Sequence, residues 1–252
     1  MMHEAFLIPL GIVISSVAMA IGIGGGILWT PLLILVYKLS PAEAITTSIL
    51  IQVVGLGSGS FAYKRSQLVK TKLAASLFLI ALPGVIIGSL ITINLPRDIV
   101  QMSLGIMTMV LAILFVASDQ DHEIETSTTI SKKKILRIAP IPGFFGFIMG
   151  FLSLGISEWL VPALRNKLNM DMPSAIATSI TMMFMLALVS ASVHFFMSTY
   201  IHYNIIVFGI IGALVGGQLG PRISQKINDR LLKQSFIYLM TLIGIHLIFQ
   251  AI

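Results

Sequence analysis

Asp, Glu, Lys and Arg are missing from long stretches of the chain, at 5–37, 44–63, 73–96, 99–118, 138–157 and 172–221. A helix rises about 1.5 Å per residue, so roughly 20 apolar residues cross a hydrocarbon layer of about 30 Å. Each stretch reaches that length or comes close. None alternates polar with apolar positions, which argues against membrane strands. The pattern predicts plain helical spans near 43–61, 73–93, 99–118, 173–197, 204–221 and 234–252, and two interrupted segments near 5–37 and 139–165. Gly22-Ile23-Gly24-Gly25-Gly26 breaks the first, and Ser153-Leu154-Gly155-Ile156-Ser157 breaks the second. Irregular backbone at membrane depth survives only where protein buries it or where it lines a cavity.

The two interrupted segments begin related halves. Gly24, Pro31, Ala44, Ile45, Thr47, Ser48 and Ile49 recur at a constant offset of 131 as Gly155, Pro162, Ala175, Ile176, Thr178, Ser179 and Ile180. Gly84 and Gly88 recur at a slightly smaller offset as Gly212 and Gly216. The chain therefore divides into a first membrane repeat, 1–118, a linker, 119–137, and a second membrane repeat, 138–252. The linker runs from acidic (Asp119, Asp121, Glu123, Glu125) to basic (Lys132, Lys133, Lys134, Arg137) and reads as a solvated loop.

Charge decides how the halves face. If each interrupted segment crosses once, eight Lys and Arg fall on either side, which gives no bias. If each returns to its starting side, fourteen collect on one side and only Lys38 and Arg97 remain on the other. The excess of cations in cytoplasmic loops favours the second arrangement. The expected fold is an all-α integral membrane protein of two inverted repeats, each with three plain transmembrane helices and one Gly-broken helical hairpin. The linker would be cytoplasmic and both termini extracytoplasmic, in the cell membrane. The N-terminal segment lacks a basic leader and is expected to be retained.

Composition agrees. Apolar residues make up 56% and charged residues 10%, against about 25% charged in soluble domains. The net charge of +6 sits in short loops with no aromatic interleaving, so nucleic acid is not an expected partner. There are no cysteines, hence no disulfides, thiolate metal sites or Cys nucleophiles. The five histidines are scattered without metal-ligand spacing, and no nucleotide-binding or hydrolase motif occurs.

The candidate chemistry lies at the breaks. A half-helix beginning near Ile27, after a Gly-rich loop, offers free N–H groups and a positive dipole end to an anion. Gly22, Gly24, Gly25 and Gly26 are candidate binding residues, with Ser153, Gly155 and Ser157 as their counterparts. Close helix packing is the alternative use of such glycines. Thr47-Ser48 and Thr178-Ser179 offer hydroxyls at equivalent places, either to an oxyanion or to their own helix, and Gln52 lies one turn on. Glu158, directly after the second break, and His194, deep in its span, are candidates for proton coupling, because ionisable groups inside membranes are costly.

The run Gly22–Leu33 followed by Ala44-Ile45-Thr46-Thr47-Ser48, with its echo in Gly150, Gly155, Pro162 and Ala175–Ser179, resembles the sulfite exporter TauE/SafE family of membrane permeases over nearly the whole chain. The resemblance implies a secondary transporter of a small anion, a sulfur oxyanion or organosulfonate such as sulfite, thiosulfate or sulfoacetate, with no organic cofactor. Where the family repeats its glycine triplet, this chain has Gly155-Ile156-Ser157 and then Glu158. An anion channel and, behind it, a membrane-embedded enzyme are the alternative readings. The implied partners are the anion, the lipid bilayer and protons; a homo-oligomer stays open.

Overall fold

A computed structural model describes residues 5–117, 132–197, 201–223, 238 and 241–249. These residues form helices and connecting turns, with no strand among them. We number the helices α1 (Leu7–Ile21), α2 (Gly26–Leu35), α3 (Pro41–Arg65), α4 (Thr71–Asn94), α5 (Arg97–Ala117), α6 (Lys132–Ile138), α7 (Pro140–Leu152), α8 (Ser157–Leu168), α9 (Met172–Met197) and α10 (Tyr203–Ile223). Residues 241–249 are also helical. Among the described residues, α3, α4, α9 and α10 are long and apolar enough to cross a membrane. Both expected interruptions are present, between α1 and α2 and between α7 and α8.

Local chemistry sets the helix ends. Ser40 caps α3 and forms a reciprocal capping box with Glu43, while Pro41 opens the first turn with a preset φ. Gly22 ends α1 at φ +83°, and Ser153 ends α7 at φ +61°. These two positions are related by the 131-residue offset, so the same left-handed stop is made once with glycine and once with serine. The expectation for the linker needs correction: its basic end, Lys132–Ile138, is helical and runs into α7. Lys, Leu and Arg are good helix formers, and Pro140 is already placed for the first turn of α7. Residues 119–131 lie outside the described part, as does most of the expected span at 234–252.

Small residues determine which helices meet. The carbonyl oxygens of Ile8, Ile12 and Ser16 in α1 lie where Cβ atoms would project from Gly212, Gly216 and Gly220 of α10. Both series climb by four residues, so α1 and α10 run in the same direction. The carbonyls of Gly143 and Phe147 in α7 lie likewise against Gly84 and Gly88 of α4, and that pair also runs in one direction. Any side chain at these glycines would hold the backbones apart.

Side-chain contacts orient the remaining helices. Gly55 faces Ala213, and Ser58 donates to the Leu214 carbonyl at 2.8 Å, so α3 runs with α10. Thr178 accepts from the Lys70 N–H at 3.1 Å and Ser89 meets Ser190 at 2.8 Å, so α4 runs with α9. By contrast Thr46 meets His194, Gly57 faces Phe184 and Ser60 donates to Thr181, so α3 and α9 run oppositely. Gly26, at the start of α2, faces Gln52 in the middle of α3, and α2 ends just before α3 begins. Hence α2 turns back from the break toward the side from which α3 starts.

Candidate functional site: where the two helix breaks meet

The breaks touch each other in the interior. A Cβ added to Gly24 would stand 2.7 Å from the Gly155 Cα and 2.9 Å from the Met183 methyl. A Cβ on Gly26 would collide with the Ser153 carbonyl oxygen and with Gln52 Nε2. Gly24 and Gly26 are therefore required by close approach. Gly25 differs, because the nearest atoms to its would-be Cβ are Trp29 Cδ1 at 3.5 Å and Gln52 Cγ at 3.7 Å. A methyl there would sit in ordinary contact with Trp29 and Gln52 and would displace neither.

Chain breaks free backbone groups, and buried ones must be satisfied. The carbonyl ends are capped, partly by the chain's own turn and partly from neighbouring helices. Met149 O accepts the Ser153 N–H, and Phe151 O accepts the Thr92 hydroxyl. Ala18 O accepts the N–H groups of Gly22 and Ile23, and Met19 O accepts the Tyr63 hydroxyl at 2.9 Å. The amide ends are left open: among the described residues no backbone carbonyl accepts from the N–H groups of Gly24, Gly25, Gly26, Leu154, Gly155, Ile156 or Ser157. An unsatisfied buried donor costs about 1–3 kcal/mol. Two helix starts, each with positive dipole character, thus converge on one crossing point.

The side chains at the crossing form a hydrogen-bonded group. Gln52 Nε2 donates to Ser153 Oγ at 2.5 Å and to the Ser153 carbonyl at 3.3 Å, and it reaches Ser48 Oγ at 3.3 Å. Ser48 and Ser153 hydroxyls are 3.1 Å apart. All three residues are buried, and Gln52 Oε1 has no hydrogen-bond partner. In the other half Ser157 Oγ meets Ser179 Oγ at 2.8 Å and faces Met183 Sδ. The indole of Trp29, 1% exposed, fills the space left by Gly11 and brings Nε1 beside Gly25.

The structure therefore gathers Gly24, Gly25, Gly26, Ser48, Gln52, Ser153, Gly155, Ser157 and Ser179 from the sequence-predicted set. Gly22 shapes the end of α1 and packs on Ile176. Thr47 is buried in α3 beside Ser48. The Thr178 hydroxyl lies at the start of α4, where it accepts the Lys70 N–H. His194, fully buried, lies at the end of α7: Nδ1 is 3.1 Å from Thr46 Oγ1 and Nε2 is 3.4 Å from the Gly150 carbonyl. A neutral ring satisfies both contacts, donating from Nε2 to the carbonyl and accepting at Nδ1. Glu158 belongs to α8 by its backbone, but its side chain lies outside the described residues. Sequence reasoning gave no role to Trp29 or Met183. Trp29, one turn after Gly25, was the available signal for the first; the 131-residue offset from Gln52 was the signal for the second.

Residues 7–247 match the family described as Sulfite exporter TauE/SafE. Three proteins of Bacillus subtilis (strain 168) are similar. The probable membrane transporter protein YunE is 25% identical over 100% of this chain and 99% of its own length. The probable membrane transporter protein YjnA is 25% identical over 87% of the chain and 91% of its own. The probable membrane transporter protein YdhB is 22% identical over 91% and 94%. No solved structure matches the chain. With nearly all of its length inside the family match, the chain belongs to the sulfite exporter TauE/SafE family.

Proposed function

We propose that this membrane transporter is a secondary permease for a small anion, a sulfur oxyanion or organosulfonate such as sulfite, thiosulfate or sulfoacetate. The observation that carries the reading is the meeting of the two helix breaks at Gly24 and Gly155 with their N–H groups unspent. In a low-dielectric interior such donors favour negative charge, and a small desolvated anion can use several at once. Ser48, Gln52, Ser153, Ser157 and Ser179 add short polar side chains around them. The family description names sulfite, and the sulfur oxyanion class is taken from it.

The two halves act as inverted repeats, each with a re-entrant hairpin. Three features support this: the antiparallel course of α3 against α9, the shared direction of α1 with α10 and of α4 with α7, and the left-handed stops at Gly22 and Ser153. The side that collects fourteen Lys and Arg would be cytoplasmic, with both termini outside. Relative movement of the hairpins would open the crossing point to one face and then the other. Glu158 is the first candidate for coupling protons to the anion.

The test is flux in liposomes containing the purified protein, with sulfite, thiosulfate, sulfate, sulfonates and carboxylates presented in turn. Saturable flux of at least one sulfur anion, lost in Gly25→Leu while the protein remains membrane-inserted, is the expected result. Carboxylate flux without sulfur anion flux would remove the substrate class. Non-saturating flux would make the protein a channel.

A further inference from the structure

The two breaks match in backbone but not in side chains. At the 131-residue offset Trp29 falls on Leu160, Gln52 on Met183 and Gly25 on Ile156. The Trp29 and Gln52 wall therefore stands on the first-half side alone, and its counterpart positions hold a leucine, a methionine and an isoleucine beside the Ser157–Ser179 pair.

On that side a backbone carbonyl orients the Gln52 amide. Its Nε2 faces the Ser153 carbonyl, and a flipped amide would set oxygen against oxygen. Oε1 is thereby left as a buried acceptor with no donor, in a side chain only 3% exposed. Gln52 Nε2 lies against Gly26 and Gln52 Cγ against Gly25, beside the Trp29 indole. The neighbouring Gly24, Gly25 and Gly26 N–H groups lack backbone acceptors, and no hydrogen bond from Trp29 forms among the described residues.

Donors alone would suit any small anion. One buried acceptor among them changes the requirement. An anion that can only accept leaves Oε1 facing its oxygens, unpaired and repelled. An anion with its own O–H or N–H satisfies both kinds of group at once. Resting on the anion-permease reading, we infer that the first-half break selects a small anion that carries its own hydrogen-bond donor, either a hydroxy- or amino-sulfonate or a protonated oxyanion. Gln52 Oε1 takes that donor; the Trp29 indole N–H and the N–H groups of Gly24–Gly26 hold the charged oxygens.

The experiment measures binding to the purified protein by calorimetry for two pairs of anions. One pair is 2-hydroxyethanesulfonate against 1-propanesulfonate, which differ by a hydroxyl in place of a methyl. The other is hydrogen sulfite against sulfate. A site built around a buried polar group rejects the analogue that cannot pair with it, so the donor-bearing member of at least one pair is expected to bind about tenfold tighter. Preference within the first pair points to an organic substrate, and within the second to an inorganic one. Gln52→Met, which copies Met183, should bring the ratio to about one. Trp29→Phe should weaken both members and leave the ratio unchanged. Equal binding within both pairs, tighter binding of the acceptor-only members, or a ratio that survives Gln52→Met overturns the inference while the permease reading stands. If none of the four anions binds while another sulfur anion is carried in liposomes, this inference falls and the permease reading stands; if no sulfur anion is carried, both fall.

Discussion

Gly24 and Gly155 touch through their backbones, so that a single methyl on the first would come within 2.7 Å of the Cα of the second. Two helix ends from opposite parts of the chain are brought to one point with nothing between them. The N–H groups on both sides lack backbone acceptors, and the glycines beside that contact divide into those that permit it and one, Gly25, where a methyl would fit.

That division makes the first prediction. Gly24→Ala and Gly26→Ala must push the second break away and are expected to cost about 1–3 kcal/mol or more, as overpacked cores do. Gly25→Ala adds its methyl at ordinary contact distance from Trp29 and Gln52. It should unfold near the wild-type temperature in detergent and yet transport poorly, because the methyl stands where an anion would approach the Gly25 N–H. Equal loss of stability in all three variants would contradict the assignment.

Ser153 is held between two opposing effects. A serine in the left-handed region costs about 1 kcal/mol relative to glycine, whereas its hydroxyl and carbonyl engage Ser48 and Gln52. Ser153→Gly relieves the backbone but strands buried polar groups, and a small net loss of about 1 kcal/mol is expected. Ser153→Ala keeps the backbone cost and loses the hydroxyl, so it should be the less stable of the two. Thermal unfolding of both proteins checks the order.

His194 and Glu158 should separate in a pH profile. Both ring nitrogens of His194 meet partners that suit the neutral ring. His194→Gln is therefore expected to lower stability and leave the pH dependence of flux in place. Glu158→Gln is expected to flatten that dependence, because it removes the carboxyl that would carry the proton. The reverse outcome would exchange their roles.

Topology can be read directly, because the chain has no cysteine to remove first. Single cysteines at Met1 and Ile252 should react with an impermeant thiol reagent on intact cells. A cysteine at Gln67, in the connection between α3 and α4, should react only after lysis. Cytoplasmic labelling at both ends would defeat the inverted arrangement.

Much of this architecture was legible before any coordinates. Charge-free stretches located the helices because lipid leaves few alternatives to an apolar span. The offset from Gly24 to Gly155 located both breaks. Glycine alone could not tell packing from binding, since Gly24 and Gly25 are neighbours of the same type with opposite surroundings. Nor could spacing show that Gln52 reaches the second break, or that Thr178 lies against the start of α4, since both contacts join distant segments. The helical end of the linker was missed because charge was weighed above the helix-forming strength of Lys and Leu.

The pairing of α1 with α10, and of α7 with α4, has a mechanical consequence. Each short hairpin is seated on a long helix contributed by the opposite repeat, glycine against carbonyl, turn after turn. Under the proposed permease mechanism, bodies that shift against one another would therefore be chimeras, each assembled from both ends of the polypeptide. Cutting the chain between residues 119 and 131 should yield two fragments that remain interlocked, and neither is expected to hold its shape when expressed by itself.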